Sequence, residues 1–276
     1  LHAQGKIDQL YEDEPFDKRY AKLHAQSPEI GHGIDINRMR ASAVFDFLRN
    51  DHLLEAVSCL TGPEITCSPI QHLRNKIPSR LATEQDFYYD TPWHQDSGVT
   101  WEEADEVRIV TCWIPLVDAT IENGCLYVLP EAHQHGIHRH YTGGHAGFLE
   151  IPDDELLPRD PVPVEMKQGD VLFLTNLTPH ASFKNNSEIV RWSIDLRYQS
   201  MDVPNNVNED PATYVPERDT VTMACYPSEA DFIIRDNSDP EREINTPGAF
   251  KKIRERYEQM RPHNPGRGWT RLSDRT

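Results

Sequence analysis

The chain has 276 residues and carries 28 Lys and Arg against 45 Asp and Glu, a formal charge of −17. A surface this acidic excludes nucleic acid and anionic membrane as general partners. A hydrophobic share of 37%, with 9% aromatic residues, excludes a disordered chain and is enough for a packed core.

Residues 1–62 read as a helical flank. Leu10, Tyr11, Phe16, Tyr20 and Leu23 recur among charges between Asp8 and Gln26, with Pro15 interrupting the pattern. Asp35 or Asn37 is placed to cap a helix through Met39, Val44, Phe45 and Leu48. Asn50 is placed to cap the next, through Leu53, Leu54, Val57 and Leu60, which Gly62 ends. His24, His32 and His52 are read as surface histidines.

From Pro63 to about residue 200 the texture changes to short β-type runs between turn residues. Strands are expected near Ile65–Lys76, Val107–Leu116, Cys125–Leu129, Val162–Met166, Val171–Thr175, His180–Lys184 and Arg191–Gln199. Asn123-Gly124 and Asn185-Asn186 carry hairpin signals, and Gly169-Asp170 another turn. Many short strands at this spacing predict a sandwich or barrel rather than βαβ units.

Residues 201–276 form a loop-rich C-terminal flank with Pro204, Pro211, Pro216, Pro227 and Pro240. Thr246-Pro247 starts a helix that runs to about Met260, before Pro262 and Pro265. From Phe250 onward the charge is +5, leaving −22 on the body, so this helix is expected to dock on an acidic surface. The cysteines at 59, 67, 112, 125 and 225 form no CxxC pair and read as buried free thiols in a reducing, cytoplasmic compartment. No run is long enough to span a membrane as a helix, and the sequence carries no signal of oligomeric state.

The chemistry starts at Thr91-Pro92-Trp93-His94-Gln95-Asp96. In extended backbone, side chains two apart share a face, so His94 and Asp96 reach one point. One distant histidine completes the 2-His-1-carboxylate set that holds Fe(II) with open positions, and His180 is the candidate. A tight turn at Asn185-Asn186 would set His180 opposite Arg191, lining His180, Ser182, Arg191 and Ser193 along one surface. An arginine on an apolar strand needs an anionic partner. A diacid with one end on the metal and the other on Arg191 supplies it.

The run His94-Gln95-Asp96, then Asn123-Gly124-Cys125-Leu126-Tyr127-Val128-Leu129-Pro130-Glu131-Ala132-His133, then His180-x-Ser182 with Arg191 eleven residues after His180, resembles the phytanoyl-CoA dioxygenase family. The resemblance covers roughly residues 64–200. It implies a mainly β fold with flanking helices around a double-stranded β-helix (jelly-roll, cupin-like) core. It also implies an Fe(II)- and 2-oxoglutarate-dependent dioxygenase that uses O2 to hydroxylate a C–H bond of a small molecule, releasing succinate and CO2. His94, Asp96 and His180 would then be the iron ligands. Arg191 and Ser182 would hold the distal carboxylate of 2-oxoglutarate, with Trp113 packed on it. Gln71, His72 and Asn75 would face cosubstrate or substrate, Asn75 donating to the metal-bound end. A carboxylate at Asp96 also occupies the place that halide takes in halogenating relatives, which favours hydroxylation. Two departures stand out: Glu131-Ala132 replaces the family's Gly-Ser, and His72 stands where one human member has methionine.

The histidine-dense segment His133-Gln134-His135-Gly136-Ile137-His138-Arg139-His140 lacks an acidic or thiol partner at ligand spacing and reads as a surface turn. Tyr88, Tyr89, Trp93 and Trp101 flank the iron motif as pocket wall or core. Arg74, Lys76 and Arg80 are candidate contacts for an anionic substrate. The competing functions are a non-catalytic metal-binding jelly roll and a cupin-type enzyme that does not use 2-oxoglutarate. An inward Arg191 separates both from the oxygenase.

Overall fold

The structure, a computed structural model, describes residues 1–31, 39–68, 70–82, 90–100, 102–144, 148–202, 231–260 and 269–275, with backbone alone at 103 and 256–260. Asp35, Asn37, His32, Tyr88, Tyr89, Trp101, Cys225, Pro262, Pro265 and the prolines at 204, 211, 216 and 227 lie outside the described residues.

Among the described residues four α-helices flank the strands: α1 (Phe16–Gln26), α2 (Ser42–Leu48), α3 (Asp51–Thr61) and α4 (Pro247–Met260). Pro15 is the N-cap of α1, so the helix expected from Asp8 begins only after the proline, which has no N–H to offer a preceding turn. Helix α2 starts at Ser42 after Ala41, not at an Asp35 or Asn37 cap. Asn50 caps α3 as expected, its Oδ1 accepting from Leu53 N at 3.1 Å, and Gly62 at φ 95° closes the helix. Thr246 Oγ1 accepts from Ala249 N at 3.2 Å at the start of α4.

The strands are β1 (Ile65–Cys67), β2 (His72–Lys76), β3 (Thr91–His94), β4 (Ile109–Pro115), β5 (Leu126–Val128), β6 (Tyr141–Thr142), β7 (Val162–Val164), β8 (Leu172–Thr175), β9 (His180–Ser182), β10 (Arg191–Ser200), β11 (Phe232–Arg235) and β12 (Thr270–Arg271). One antiparallel sheet runs β11-β1-β10-β4-β8, with β2 also on β10. The single strand expected over 65–76 is therefore two, laid end to end along β10. A second antiparallel sheet runs β3-β9-β5-β7, and β6 pairs with β12 in a small parallel ribbon.

Strand β10 alternates in a way that explains the architecture. Trp192, Ile194, Leu196 and Tyr198 point one way; Arg191, Ser193, Asp195, Arg197 and Gln199 point the other. The apolar side is outside the barrel. There Leu196, Tyr198, Cys112 and Ile65 pack under Phe45, Leu48, Leu54 and Val57 of α2 and α3 and Phe250 of α4. The polar side faces the second sheet and is nevertheless buried. Helix α4 docks through an apolar anchor: Phe250 stacks on Phe45 at 5.3 Å and joins the cluster under α2 and α3.

The hairpin expected at Asn185-Asn186 is not formed. Strand β9 pairs with β3 and β5, and β10 with β1, β2 and β4, so residues 183–190 cross from one sheet to the other. Asn185 is buried in that crossing, its side-chain amide donating to Lys76 O (2.8 Å) and Ile189 O (2.7 Å). A residue consumed by such contacts cannot sit at the exposed corner of a two-residue turn. Cys67, Cys112 and Cys125 are buried free thiols as expected, whereas Cys59 is exposed. His24 is buried rather than at the surface. Among the described residues no helix is long and apolar enough to cross a membrane.

Candidate metal centre

Strands β3 and β9 are neighbours, and His94 pairs directly with His180. Their ring centroids are 4.2 Å apart. Gln95 is extended (φ −112°, ψ 144°), and the chain then turns into a short 3-10 segment at Asp96–Val99, which carries Asp96 inward. One ligand atom each from His94, Asp96 and His180 lies within 4.8 Å of the others. The three residues thus converge as predicted.

The imidazoles are pre-oriented. His94 Nδ1 lies 2.8 Å from Pro92 O, and His180 Nδ1 lies 2.9 Å from Thr178 O. A carbonyl can only accept, so each Nδ1 carries the proton and each Nε2 keeps its lone pair. This is the arrangement metal-ligating histidines use. Burial first, then the adjacent His180, pushes His94 down to about 3. Burial alone would raise Asp96. The Arg197 guanidinium and the imidazoles outweigh it and hold the carboxyl well below the usual range.

Asp96 is held from the opposite sheet. Arg197 Nη2 donates to Oδ1 at 2.6 Å and its Nε to Oδ2 at 3.3 Å; Thr111 Oγ1 donates to Oδ2 at 2.6 Å. Arg197 is itself fixed by donating to Ile70 O at 2.8 Å. Neither residue was singled out from the sequence. The signal was present, since Arg191, Ser193, Asp195 and Arg197 alternate with Trp192, Ile194, Leu196 and Tyr198. Two imidazoles and one anionic carboxylate, with all other valences satisfied by protein, fit a divalent transition metal that keeps open positions.

Arg191 is fully buried on the same inner face. It donates to Ser182 Oγ at 3.1 Å and to Ser193 Oγ, and its guanidinium lies 5.3 Å from the Trp113 ring centre. Its Nε has no partner, and no carboxylate pairs with it, among the described residues. Burial and the nearby Arg74 bring it down to about 10. The structure therefore brings Ser182, Arg191 and Trp113 together, although Ser182 and Arg191 meet across two sheets and not along one hairpin.

The remaining expected residues divide. The β2–β10 register sets Lys76, Arg74 and His72 opposite Arg191, Ser193 and Asp195, on the inner face. Asn75 pairs with Trp192, on the outer face, which corrects its expected role as a donor to the cosubstrate. Gln71 is buried before β2 and turned to α4, where its Oε1 accepts from Arg254 at 2.7 Å. Arg74 pairs with Asp195 at 3.1 Å. Lys76 donates to Ser182 O and Phe183 O, both at 2.6 Å; burial and then Arg191 push it well down. Arg80 is exposed and paired with Glu188. Trp93 packs with Leu129, Ile151 and Ala181 as core. His140, expected in a surface turn, is completely buried.

The sequence signature of the phytanoyl-CoA dioxygenase (PhyH) family matches residues 7–193. The Arabidopsis thaliana phytanoyl-CoA dioxygenase is 31% identical over 110 residues, 40% of this chain and 38% of that protein. The methylphosphonate hydroxylase of Gimesia maris is 36% identical over 92 residues, 33% and 34% of the two chains. The human peroxisomal phytanoyl-CoA dioxygenase is 26% identical over 163 residues, 58% and 46%. The matches thus span from about a third to under half of these relatives. Among solved structures, the non-haem monooxygenase ThoJ in its apo form superposes with a TM-score of 0.56 at 17% identity, over 94% of this chain and 92% of that one. The non-haem α-ketoglutarate-dependent epimerase SnoN gives 0.50 at 18% identity, over 73% and 76%. At these identities the likeness establishes a shared fold.

Proposed function

The chain belongs to the phytanoyl-CoA dioxygenase family, and from that premise we propose that it is an Fe(II)- and 2-oxoglutarate-dependent oxygenase that hydroxylates a C–H bond of a small molecule. His94, Asp96 and His180 would hold the iron. The iron, with 2-oxoglutarate and O2, supplies the oxidant, and the cosubstrate leaves as succinate and CO2. The protein's part is to orient and to shield. Pro92 O and Thr178 O fix the two imidazole tautomers. Arg197 and Thr111 keep the carboxylate ionised and aimed.

The observation that carries this reading is Arg191. A fully buried guanidinium that, among the described residues, has an unpartnered Nε and only two serine hydroxyls as acceptors is costly unless an anion joins it. A diacid with one end at the metal would offer its other carboxylate to Arg191, which Ser182 and Trp113 flank. A purely structural metal site has no use for such a residue. Iron-dependent succinate formation from 2-oxoglutarate tests the activity. Arg191→Leu tests the assignment: cosubstrate binding should weaken by about 100-fold or more while metal binding persists, since a charge-assisted pair is worth about 3 kcal/mol or more in this setting. Loss of metal with retention of 2-oxoglutarate binding would refute it.

The substrate is proposed to be a small polar molecule and not a CoA thioester. Arg74, Lys76 and Arg80 are each engaged within the protein, so these three cations do not form a cradle for nucleotide phosphates. Screening small acids, methylphosphonate among them, against acyl-CoA esters for succinate release decides between the classes.

A further inference from the structure

The segment from Gly136 to His140 and the C-terminal residues around β12 are built into the back of the metal loop. His140 Nε2 accepts from Gln95 N at 3.0 Å, and its Nδ1 donates to His138 O at 2.8 Å. That backbone N–H lies between the two ligands His94 and Asp96. The Gln95 side chain closes the ring: its Oε1 accepts from His138 N at 2.7 Å, and its Nε2 donates to Gly136 O (2.9 Å) and Leu177 O (2.7 Å). Behind His140 stands Trp269, with ring centroids 5.3 Å apart. Trp269 Nε1 donates to Gly98 O at 2.8 Å, two residues past Asp96. The contact is so close that a Cβ at Gly98 would sit 2.8 Å from the His140 ring and 2.6 Å from Leu149.

We propose that His140, backed by Trp269, is a positioning residue for the metal centre: it fixes the peptide between His94 and Asp96 and thereby sets metal affinity. The inference rests on the iron reading of His94, Asp96 and His180. Trp269 lies beyond the stretch that matches the family, so the C-terminal strap is a feature of this chain outside that match. Its anchorage is independent of the metal loop. Strand β12 pairs with β6, Arg139 donates to Thr270 Oγ1 at 3.0 Å, and Arg275 pairs with Asp154 and Glu155 at 2.6 and 2.9 Å. The physical reason is angular. His94 ends β3 and Asp96 opens the 3-10 segment two residues on, so rotation of the Gln95 peptide between them swings the two donors apart. An outer partner that prevents such motion typically changes metal affinity by about 10- to 100-fold.

The test is cobalt(II) titration of the full, metal-free chain by calorimetry, with the cobalt absorption band reporting coordination. His140→Leu should weaken cobalt binding by about 10-fold or more. His140→Gln, whose Oε1 reaches close to the lost acceptor, should bind within about threefold of the wild type by the same reasoning. Trp269→Leu, at a half-buried position, should weaken binding by several-fold and decides the matter should His140→Leu not fold. Wild-type affinity in both His140→Leu and Trp269→Leu overturns the proposal, as does an equal loss in His140→Leu and His140→Gln, which would make volume and not the acceptor the cause. If the wild type takes up no cobalt, or His94→Ala binds it as well, the iron reading itself fails and this inference falls with it.

Discussion

Replacing Arg197 with leucine isolates the interaction that keeps an anion stable in the interior. In the native protein both side chains are about 5% exposed. Arg197→Leu removes two charge-assisted bonds from Asp96 and leaves Thr111 as its donor at 2.6 Å. Breaking one side of a buried pair costs about 3–5 kcal/mol. The Ile70 carbonyl also loses its donor, about 1 kcal/mol more. Against a typical total of about 5–15 kcal/mol, the metal-free variant should be severely weakened. For a chain of this size that corresponds to a fall in Tm on the order of 10–20 °C. Saturating cobalt(II) should recover part of the loss, because the cation takes over the role of the guanidinium. Denaturation of the metal-free wild type, Arg197→Leu, Asp96→Asn and the double variant provides the cycle. The double variant should be more stable than Arg197→Leu alone by about 2 kcal/mol or more, since no orphaned charge remains. Metal-free Arg197→Leu within about 1 kcal/mol of the wild type would refute the claim that the guanidinium sustains Asp96.

Two further outcomes follow from the same structure. His94 is held to about 3 when folded, against 6.5 in a free chain. Below pH 6.5 the unfolded chain therefore takes up a proton that the native state refuses. Metal-free stability should be fully supported by this group above about pH 6.5 and decline progressively as the pH falls toward 3, a slope that His94→Gln should reduce in thermal scans. Asn50→Ala removes the α3 cap and should cost about 1 kcal/mol with cobalt affinity unchanged, because α3 packs on the outer face only.

Local chemistry was legible where the determinants are local. Asn50, Gly62 and Thr246-Pro247 mark helix ends through their own side chains or backbone freedom, and α3 and α4 begin where these residues place them. The triad was legible because His94 and Asp96 are two apart in extended chain. Sheet membership was not. Asn185-Asn186 carries a turn signal, but its partners Lys76, Ser79 and Glu122 are distant in sequence, and they convert the segment into a crossover. Asn75 was misassigned for a related reason: its face is fixed by register against β10, which no residue of β2 announces. Arg197 was missed although its alternation with Arg191 was readable. His140 was misread because a histidine-dense, polar segment resembles a surface turn until Gln95 and Trp269 are seen to enclose it.

The distribution of burial explains how the fold tolerates such an interior. A jelly roll whose inner face carries Arg74, Lys76, Asp96, Arg191, Asp195 and Arg197 cannot draw its stability from that face, since desolvating these groups opposes folding. The apolar surface is moved to the other side of β10, β4 and β1, where α2, α3 and α4 cover it. Each inner charge is then held by a specific partner: Asp96 by Arg197, Arg74 by Asp195, Lys76 by two carbonyls. Arg191 departs from this pattern, with hydroxyls in place of an anion among the described residues. A buried guanidinium that meets only hydroxyls among the described residues is where a ligand carboxylate contributes most, and that is why the cosubstrate assignment rests on Arg191 more than on the metal triad.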